Sequence, residues 1–249
     1  MPLYAESADG VLIAYDVHGG ATAVGEHPPI VLIHGFASTA AVTWESTGWV
    51  RALTDAGRVV VTLDLRGHGR SDKPHRADEF APTLLGADVR AVLDSAGADV
   101  VDVVAYSMGC RVASAFVELA QDRVRRVVLG GAGPVELFAT WDLAEVRGLL
   151  LSDEPPMNPL VQAVLGAALA AGADRESMLA CVEGVSGAPL IMPAGIPVLF
   201  VAGEEDPVTR GTQGLALDWG VDYVSIPGRD HINTLTARAF KDAVVGFLG

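Results

Sequence analysis

The chain has 249 residues, of which 50% are hydrophobic and 19% are charged. This length and composition suit a folded domain with a sizeable core and exclude disorder as a description of the whole chain. Lysine and arginine number 17 against 31 acidic residues, which gives a formal net charge of −14. Such a surface repels nucleic-acid phosphates and anionic lipid alike, so we expect no nucleic-acid partner.

The cysteine content and the apolar runs of the sequence indicate the cellular compartment in which we expect the protein. Cys110 and Cys181 are too few for a disulfide framework and lack the spacing of zinc ligands. No apolar run in the sequence approaches the ~20 residues that a membrane-spanning helix needs, and residues 1–10 lack a signal-peptide pattern. We therefore expect a cytoplasmic protein without a membrane span, and the sequence leaves the oligomeric state open.

Short β-branched segments alternate with longer amphipathic segments along the chain. The first two strands form a predicted hairpin around the turn signal Ala8-Asp9-Gly10. Predicted strands occupy residues 3–6, 11–17, 30–33, 59–63, 100–105, 127–129, 197–202 and 223–226, and predicted helices occupy residues 83–96, 111–120 and 237–247. Because most of these strands are apolar almost throughout, the pattern predicts a mostly parallel central sheet with helices on both faces.

Residues 134–195 interrupt this alternation. The segment carries helical signals and several prolines but no convincing strand. An insertion of this kind predicts a helical lid over the carboxyl edge of the sheet, where ligands bind in open α/β sheets. We therefore expect a core domain of residues 1–133 and 196–249, with residues 134–195 as the lid.

The segment most informative about chemistry is residues 103–111, VVAYSMGCR. A buried strand is predicted to end at Tyr106 and a helix to begin just after Ser107. A serine in such a turn projects its hydroxyl above the sheet, beside the N–H groups of the helix N-terminus. The pattern S-x-G also occurs at Ser46 and Ser95, but Ser107 alone follows a small residue two positions earlier and lies at a strand-to-helix junction. Ser107 is therefore the candidate nucleophile.

A serine nucleophile needs a base, and the base needs a carboxylate to orient it. His231 lies in the loop after the last predicted strand, which places it at the same sheet edge as Ser107. Asp206 lies in the loop after the preceding strand, and Pro207 can open the next segment and leave Asp206 at the turn. The competing carboxylates are those of Glu204, Glu205 and Asp230.

The chain order of Ser107, Asp206 and His231 resembles that of the α/β-hydrolase family, whose nucleophile turn reads G-x-S-x-G. The resemblance covers nearly the whole chain. It departs from the family pattern at Ala105, where the family usually has glycine, and where some of its lipases also carry alanine. The resemblance implies an α/β-hydrolase fold and a catalytic triad of these three residues.

A second marker of the family follows an early predicted strand at His34-Gly35. By this resemblance, the backbone N–H groups of Phe36 and Met108 form an oxyanion hole, with Gly35 letting the backbone turn towards the site. His34 is expected to have a structural role. Residues 64–72, DLRGHGRSD, are similar to a further turn of the family, and we expect Arg and Asp side chains to hold that loop.

The serine nucleophile and the residue composition of the lid indicate which class of substrate to expect. Serine implies acyl chemistry, since epoxide hydrolases and haloalkane dehalogenases of this family carry aspartate there. The lid has two basic and eight acidic residues, which disfavours anionic acyl-CoA. The apolar candidates for its pocket are Leu137, Phe138, Trp141, Leu149, Leu150, Met157, Leu160, Leu165 and Met178. We therefore expect a carboxylesterase that cleaves small or medium uncharged esters through an acyl-enzyme, without a cofactor or metal.

Three alternatives remain open. A carbon–carbon bond hydrolase or lyase is one, because Tyr106-Ser107-Met108-Gly109 followed by Arg111 resembles the nucleophile turn of the menaquinone-pathway synthase of this fold. The acidic lid argues against the polyanionic substrate of that enzyme. The second is a cofactor-free perhydrolase that carries the same triad. The third is a non-catalytic ligand receptor on the same scaffold.

Overall fold

A computed structural model describes residues 3–19 and 27–249, which are built around one eight-stranded sheet. Its strands are β1 (Leu3–Glu6), β2 (Leu12–His18), β3 (Ile30–Ile33), β4 (Val60–Leu63), β5 (Val101–Tyr106), β6 (Val124–Gly130), β7 (Val198–Gly203) and β8 (Asp222–Ile226). Their order across the sheet is β1-β2-β4-β3-β5-β6-β7-β8. The pairs β1–β2 and β2–β4 are antiparallel, whereas the five pairs from β4 to β8 are parallel. The predicted hairpin and the predicted mostly parallel sheet are confirmed.

Helices cover both faces of the sheet. They are α1 (Trp49–Asp55), α2 (Pro82–Ala96), α3 (Gly109–Leu119), α4 (Leu143–Ser152), α5 (Pro159–Ala170), α6 (Arg175–Val185), α7 (Thr212–Trp219) and α8 (Arg238–Leu248). Successive strand side chains alternate between the faces, so Val103 packs in the cluster with α2 and α3, and Val104 in the cluster with α1 and α8. Strands buried on both faces explain their near-continuous apolar sequences.

The sequence prediction misses three features of the core. Helices α1 and α7 are short, at seven and eight residues, and were not predicted. Strand β6 begins at Val124, three residues before its predicted start, because two arginines interrupt its apolar pattern. One of them, Arg125, donates to the buried Asp102 carboxylate of β5 at 2.8 Å. The charged side chain on β6 therefore pairs with an opposite charge on the neighbouring strand.

Residues 134–195 contain helices α4, α5 and α6 and no strand. Helix α4 packs on α5 and α6, and α6 contacts the short helical turn Ala77–Phe80. The segment also reaches the carboxyl edge of the sheet, where the Phe138 and Phe36 ring centroids lie 4.8 Å apart. We propose that this segment is a lid on the core of residues 1–133 and 196–249, of which residues 1, 2 and 20–26 lie outside the described part.

No helix in the described ranges, residues 3–19 and 27–249, is both long and apolar enough to cross a membrane. The longest, α2, has 15 residues and carries polar side chains on one side. The two cysteines, Cys110 and Cys181, are both free and buried among core side chains, and burial raises the pKa of the Cys110 thiol to about 12. They are packing residues, as expected.

Candidate active site

Ser107 lies in the tight turn between β5, which ends at Tyr106, and α3, which begins at Gly109. Its φ angle is +57°, in the left-handed region that residues with a side chain rarely adopt. Backbone strain of this kind costs about 1–3 kcal/mol and persists only where the surrounding structure imposes it. Hydrogen bonds of 2.8 Å from Ser107 N to Gly130 O and 2.9 Å from Cys110 N to Ser107 O hold the turn.

Two glycines allow the backbone to close in around this turn. A Cβ atom at Gly109 would lie 2.5 Å from the carbonyl oxygens of both Ile33 and His34. A Cβ atom at Gly35 would lie 3.0 Å from the Cβ of Ser107. The 2.5 Å distances are too short for a carbon atom against backbone oxygens, so the glycine two residues after Ser107 is a steric requirement of the turn, and the contact at Gly35 is tight.

Ser107, His231 and Asp206 form a continuous chain of hydrogen bonds. His231 Nε2 lies 3.0 Å from Ser107 Oγ, and His231 Nδ1 lies 2.8 Å from Asp206 Oδ2. Because a carboxylate only accepts, Nδ1 carries the proton, and the Nε2 lone pair faces the serine hydroxyl. The structure therefore brings together the three residues that the sequence singled out, in an arrangement that can move a proton from serine to imidazole.

Asp206 is the carboxylate that contacts the imidazole, and its side chain is fully buried. Its other oxygen, Oδ1, accepts from Val208 N at 2.8 Å, and its backbone oxygen accepts from the Thr209 hydroxyl at 3.0 Å. These bonds belong to the 3₁₀ turn Pro207–Thr209, which Asp206 caps as the proline suggested. Of the competing carboxylates, Glu204 accepts from Gly228 N and Asp230 accepts from Ile232 N and Asn233 N, while Glu205 is exposed.

Tyr106 is a contact of the base that sequence reasoning missed. Its hydroxyl donates to the backbone oxygen of His231 at 2.7 Å. Burial raises the pKa of this phenol well above its usual value, so Tyr106 stays a protonated donor. A tyrosine at the end of a buried strand is the available signal, because a buried phenol normally has a hydrogen-bond partner.

Phe36 and Met108, whose backbone N–H groups are the predicted oxyanion donors, line the same cavity as Ser107. Within residues 3–19 and 27–249, neither N–H donates to a protein acceptor. Met108 precedes the first residue of α3, where unpaired N–H groups and the helix dipole favour negative charge. These two predicted donors can therefore stabilise an oxygen on which negative charge develops.

Two buried histidines hold the loop that carries Phe36. His34 Nδ1 donates to Gly35 O at 2.7 Å, and His68 Nε2 accepts from Ala37 N at 3.1 Å. Burial lowers the pKa of His34, and burial lowers that of His68 to about 3. Both rings are therefore neutral near pH 7, which leaves His68 Nε2 able to accept. The histidines position the loop, in agreement with the structural role expected for His34.

The cavity beside Ser107 is small, with a volume of about 20 Å³, which is room for about one water molecule. Of the apolar lid residues proposed from the sequence, Leu137 and Phe138 line it. Met157 is 88% exposed instead. Five other residues of that set are buried within the helical segment or against it: Trp141, Leu149, Leu150, Leu165 and Met178.

Two buried charged side chains, Arg111 and Glu136, stand in the cavity wall, and sequence reasoning assigned neither to the site. They are 5% and 6% exposed. Arg111 Nη2 donates to Gly133 O at 2.7 Å, and the Glu136 carboxylate accepts from Phe138 N and Ala139 N, each at 2.9 Å. Burial raises the pKa of Glu136 and lowers that of Arg111. The wall therefore carries both a buried cation and a buried acid.

A family model described as alpha/beta hydrolase fold matches residues 28–154. Epoxide hydrolase B of Mycobacterium tuberculosis (strain ATCC 25618 / H37Rv) is 39% identical over 115 residues, which are 43% of this chain and 31% of that protein. The 2-hydroxy-6-oxo-2,4-heptadienoate hydrolase of Pseudomonas putida F1 is 32% identical over 125 residues, 50% of this chain and 45% of that protein. The chain thus spans less than half the length of these curated relatives.

Similarity in structure extends over the whole chain. The crystal structure of a hydrolase from Pseudomonas aeruginosa PA01 superposes with a TM-score of 0.77 at 25% sequence identity. The superposition covers 100% of this chain and 98% of that one. The two proteins therefore share a fold over the whole chain, whereas the sequence similarity to the two curated relatives covers half of this chain or less.

Proposed function

This chain belongs to the alpha/beta hydrolase family, and from that membership we propose a serine hydrolase that cleaves small or medium uncharged carboxylic esters. The observation that carries the proposal is the hydrogen-bond chain from Ser107 through His231 to Asp206, built on a strained strand-to-helix turn. The relatives share the hydrolase family and differ in the bond they cleave. The choice of an ester rests on the nucleophile and on the lid segment.

In the proposed reaction, Ser107 Oγ attacks the carbonyl carbon of the ester while His231 Nε2 takes the hydroxyl proton. Asp206 keeps the imidazole oriented and stabilises the imidazolium that forms. The imidazolium then gives its proton to the leaving alcohol oxygen as the C–O bond breaks. The acyl group remains on Ser107 as an ester.

The second half of the reaction reverses these roles. A water molecule gives a proton to His231 and adds to the acyl carbon, and the serine oxygen leaves with that proton. In both halves the carbonyl oxygen becomes an oxyanion, which the N–H groups of Phe36 and Met108 can stabilise. Removing one such donor from comparable enzymes costs about 3 kcal/mol of transition-state stabilisation.

The serine at position 107 favours acyl transfer over epoxide hydrolysis, the reaction for which the Mycobacterium relative is named. Epoxide hydrolases of this family carry aspartate at the nucleophile turn, whereas this chain has serine. An epoxide also has no carbonyl oxygen for the N–H groups of Phe36 and Met108 to stabilise. An uncharged acyl group suits the lid segment, because that segment carries eight acidic and two basic residues.

Hydrolysis of p-nitrophenyl esters from acetate to palmitate tests this proposal. We expect the rate to peak at a short or medium chain and to fall by at least about a thousandfold in Ser107→Ala. Ser46→Ala is the matched control, because Ser46 shares the S-x-G pattern but is exposed. Activity that survives in Ser107→Ala, or a wild type that hydrolyses none of the esters, overturns the proposal.

Hydrolysis of a carbon–carbon bond is the second candidate function. It is favoured by the 32% identity to the 2-hydroxy-6-oxo-2,4-heptadienoate hydrolase of Pseudomonas putida. Incubation with that compound, followed through the loss of its conjugated chromophore, separates the two candidates. Ser107-dependent turnover of the dienoate together with negligible p-nitrophenyl esterase activity would replace the ester proposal by this one.

A further inference from the structure

The loop of residues 64–72, which follows β4, packs against the loop that carries Phe36. His68 in the first loop is buried, and its ring centroid lies 5.7 Å from that of Phe36. The Nε2 atom of His68 accepts from Ala37 N at 3.1 Å. One side chain of the turn that resembles a family motif therefore contacts both Phe36, a predicted oxyanion donor, and the residue that follows it.

The hydrogen bonds of His68 fix its tautomer. The Ala37 N–H can only donate, so Nε2 has no proton, and Nδ1, which lies 2.9 Å from Arg66 O, carries the single ring proton. Burial lowers the pKa of His68 to about 3, so the ring keeps this neutral form near pH 7. The Nε2 lone pair is therefore available to the Ala37 N–H throughout the neutral pH range.

Ala37 has a strained backbone, and the contact with His68 opposes the relief of that strain. The φ angle of Ala37 is +57°, in the left-handed region that alanine rarely adopts. Rotation of the planar peptide between Phe36 and Ala37 changes ψ of the first residue and φ of the second, so turning this peptide over would relieve the strain. The same rotation would take the Ala37 N–H away from His68 Nε2 and cost it its acceptor.

The orientation of this peptide matters because Phe36 lies beside the nucleophile turn. A Cβ atom at Gly35 would lie 3.0 Å from Ser107 Cβ, so the backbone just before Phe36 is in contact with that turn. The peptide before Phe36 is held by His34, whose Nδ1 donates to Gly35 O at 2.7 Å. The peptide after Phe36 is held by His68, so both of the planes that meet at the Phe36 Cα atom are fixed.

We propose that His68 is a positioning residue of the oxyanion hole, which holds the strained peptide after Phe36 so that the Phe36 N–H meets the carbonyl oxygen of the group that Ser107 attacks. The inference rests on the proposed function and deepens it, since it gives the loop of residues 64–72 a part in transition-state stabilisation. His68 acts through Ala37 and takes no part in proton transfer. Loss of its acceptor should weaken the binding of an oxyanion and leave the binding of an uncharged ligand unchanged.

Two ligands of nearly the same shape separate these kinds of binding. Ser107 Oγ adds to the carbonyl carbon of trifluoroacetone as its proton passes to His231, and the carbonyl oxygen becomes an oxyanion. The reduced form, trifluoroisopropanol, has no carbonyl to attack. Fluorine NMR titration, corrected for hydration of the ketone in water, measures the dissociation constant of each.

His68→Phe keeps a ring at this position and removes both nitrogens. We expect this variant to bind the ketone about ten- to hundredfold more weakly than the wild type does, which is less than the loss of a whole oxyanion donor. The alcohol should bind as it does to the wild type. His68→Gln, whose Oε1 can accept from Ala37 N, should recover part of the ketone affinity.

Ser71→Ala is the matched control, because Ser71 belongs to the same loop but bonds elsewhere. Its hydroxyl donates to Asp64 O at 2.5 Å and accepts from Ala14 N at 2.9 Å. We expect a lower melting temperature together with wild-type affinity for the ketone. Equal weakening of ketone binding in Ser71→Ala and His68→Phe would mean that the loop acts only through its stability, and would overturn the proposal.

The wild type alone tests the contact, even where His68→Phe does not fold. We expect NMR to show a nitrogen–nitrogen coupling across the hydrogen bond from Ala37 N to His68 Nε2, with the ring proton on Nδ1. A ring proton on Nε2 overturns the proposal. Ketone binding that is equally tight in the wild type and in His68→Phe also overturns it and leaves the serine hydrolase proposal intact. A wild type that forms no ketone adduct and cleaves no ester rejects the proposed function, and the positioning role with it.

Discussion

The Tyr106 hydroxyl donates to the backbone oxygen of His231 at 2.7 Å, and the two ring centroids lie 5.4 Å apart. Tyr106 is also the last residue of β5 and directly precedes Ser107. One side chain therefore connects the strand that carries the candidate nucleophile to the loop that carries the candidate base. Movement of that loop would alter the 3.0 Å contact between His231 Nε2 and Ser107 Oγ.

Tyr106→Phe is expected to lower kcat by about three- to tenfold and to leave KM unchanged. The reason is the loss of one hydrogen bond that orients the His231 loop, with a net contribution of about 0.5–1.5 kcal/mol. Steady-state kinetics with the best p-nitrophenyl ester measure it. An unchanged kcat accompanied by a lower melting temperature would show that the contact stabilises the fold without positioning the base.

Asp206→Asn is expected to lower kcat by about four orders of magnitude, as in comparable triads, because the amide no longer favours the productive imidazole tautomer. Glu205→Gln is the matched control, since Glu205 is the adjacent residue of the same loop and is exposed. We expect wild-type kinetics from this control. A larger loss in Glu205→Gln than in Asp206→Asn would assign the orienting carboxylate to Glu205.

Gly109→Ala and Gly214→Ala are both substitutions within helices, and we expect them to change stability in opposite directions. The added methyl group at Gly109 would meet two backbone oxygens at 2.5 Å, whereas the one at Gly214 has no atom within 4 Å. Urea unfolding should show a loss of about 1–3 kcal/mol for Gly109→Ala and a gain of about 0.5–1 kcal/mol for Gly214→Ala. Equal stabilities would contradict the close approach of β3 to α3.

Ser107→Gly is expected to be more stable than Ser107→Ala by about 1 kcal/mol, although both lack the hydroxyl. The φ angle of +57° at this position strains any residue that has a Cβ atom, and glycine adopts it without that strain. Thermal and urea unfolding of the two variants measure the difference. Identical stabilities would show that the turn relaxes when the hydroxyl is removed.

The stability of the protein is expected to fall as the pH drops from about 6.5 to 4.5. An unfolded histidine binds a proton below about pH 6.5, whereas burial lowers the pKa of His68 to about 3 in the folded state. The unfolded state therefore binds more protons in this window, which costs up to about 1.4 kcal/mol per pH unit for this group.

Urea unfolding across this pH window, with His68→Gln and the exposed His27→Gln as its control, tests the assignment to His68. His68→Gln should reduce the slope of unfolding free energy against pH by about 1.4 kcal/mol per unit. His27→Gln should keep the wild-type slope. A slope that His68→Gln leaves unchanged would mean that this ring is protonated in the folded protein.

Features that depend on neighbours along the chain were predictable from the sequence. The apolar strands, the steric requirement for Gly109 and the cap that Asp206 forms ahead of Pro207 all follow from short segments. Ala105, which departs from the family pattern, is fully buried in β5, where its methyl group is accommodated. Helix α7 was missed because it buries only Thr212 and Ala216, too few residues to leave a periodic apolar pattern.

The alternation of strands and helices, the strand-to-helix turn at Ser107 and the choice of Ser107, His231 and Asp206 as candidates came from the sequence itself, because local sterics and the chain order of loops at one sheet edge specify them. Only the tertiary structure decided that Tyr106 contacts His231, 125 positions away, and that Arg111 and Glu136 share the wall of a cavity of about 20 Å³. Those relationships arise from close packing of segments that are distant in the chain. No local pattern encodes the space that remains between them.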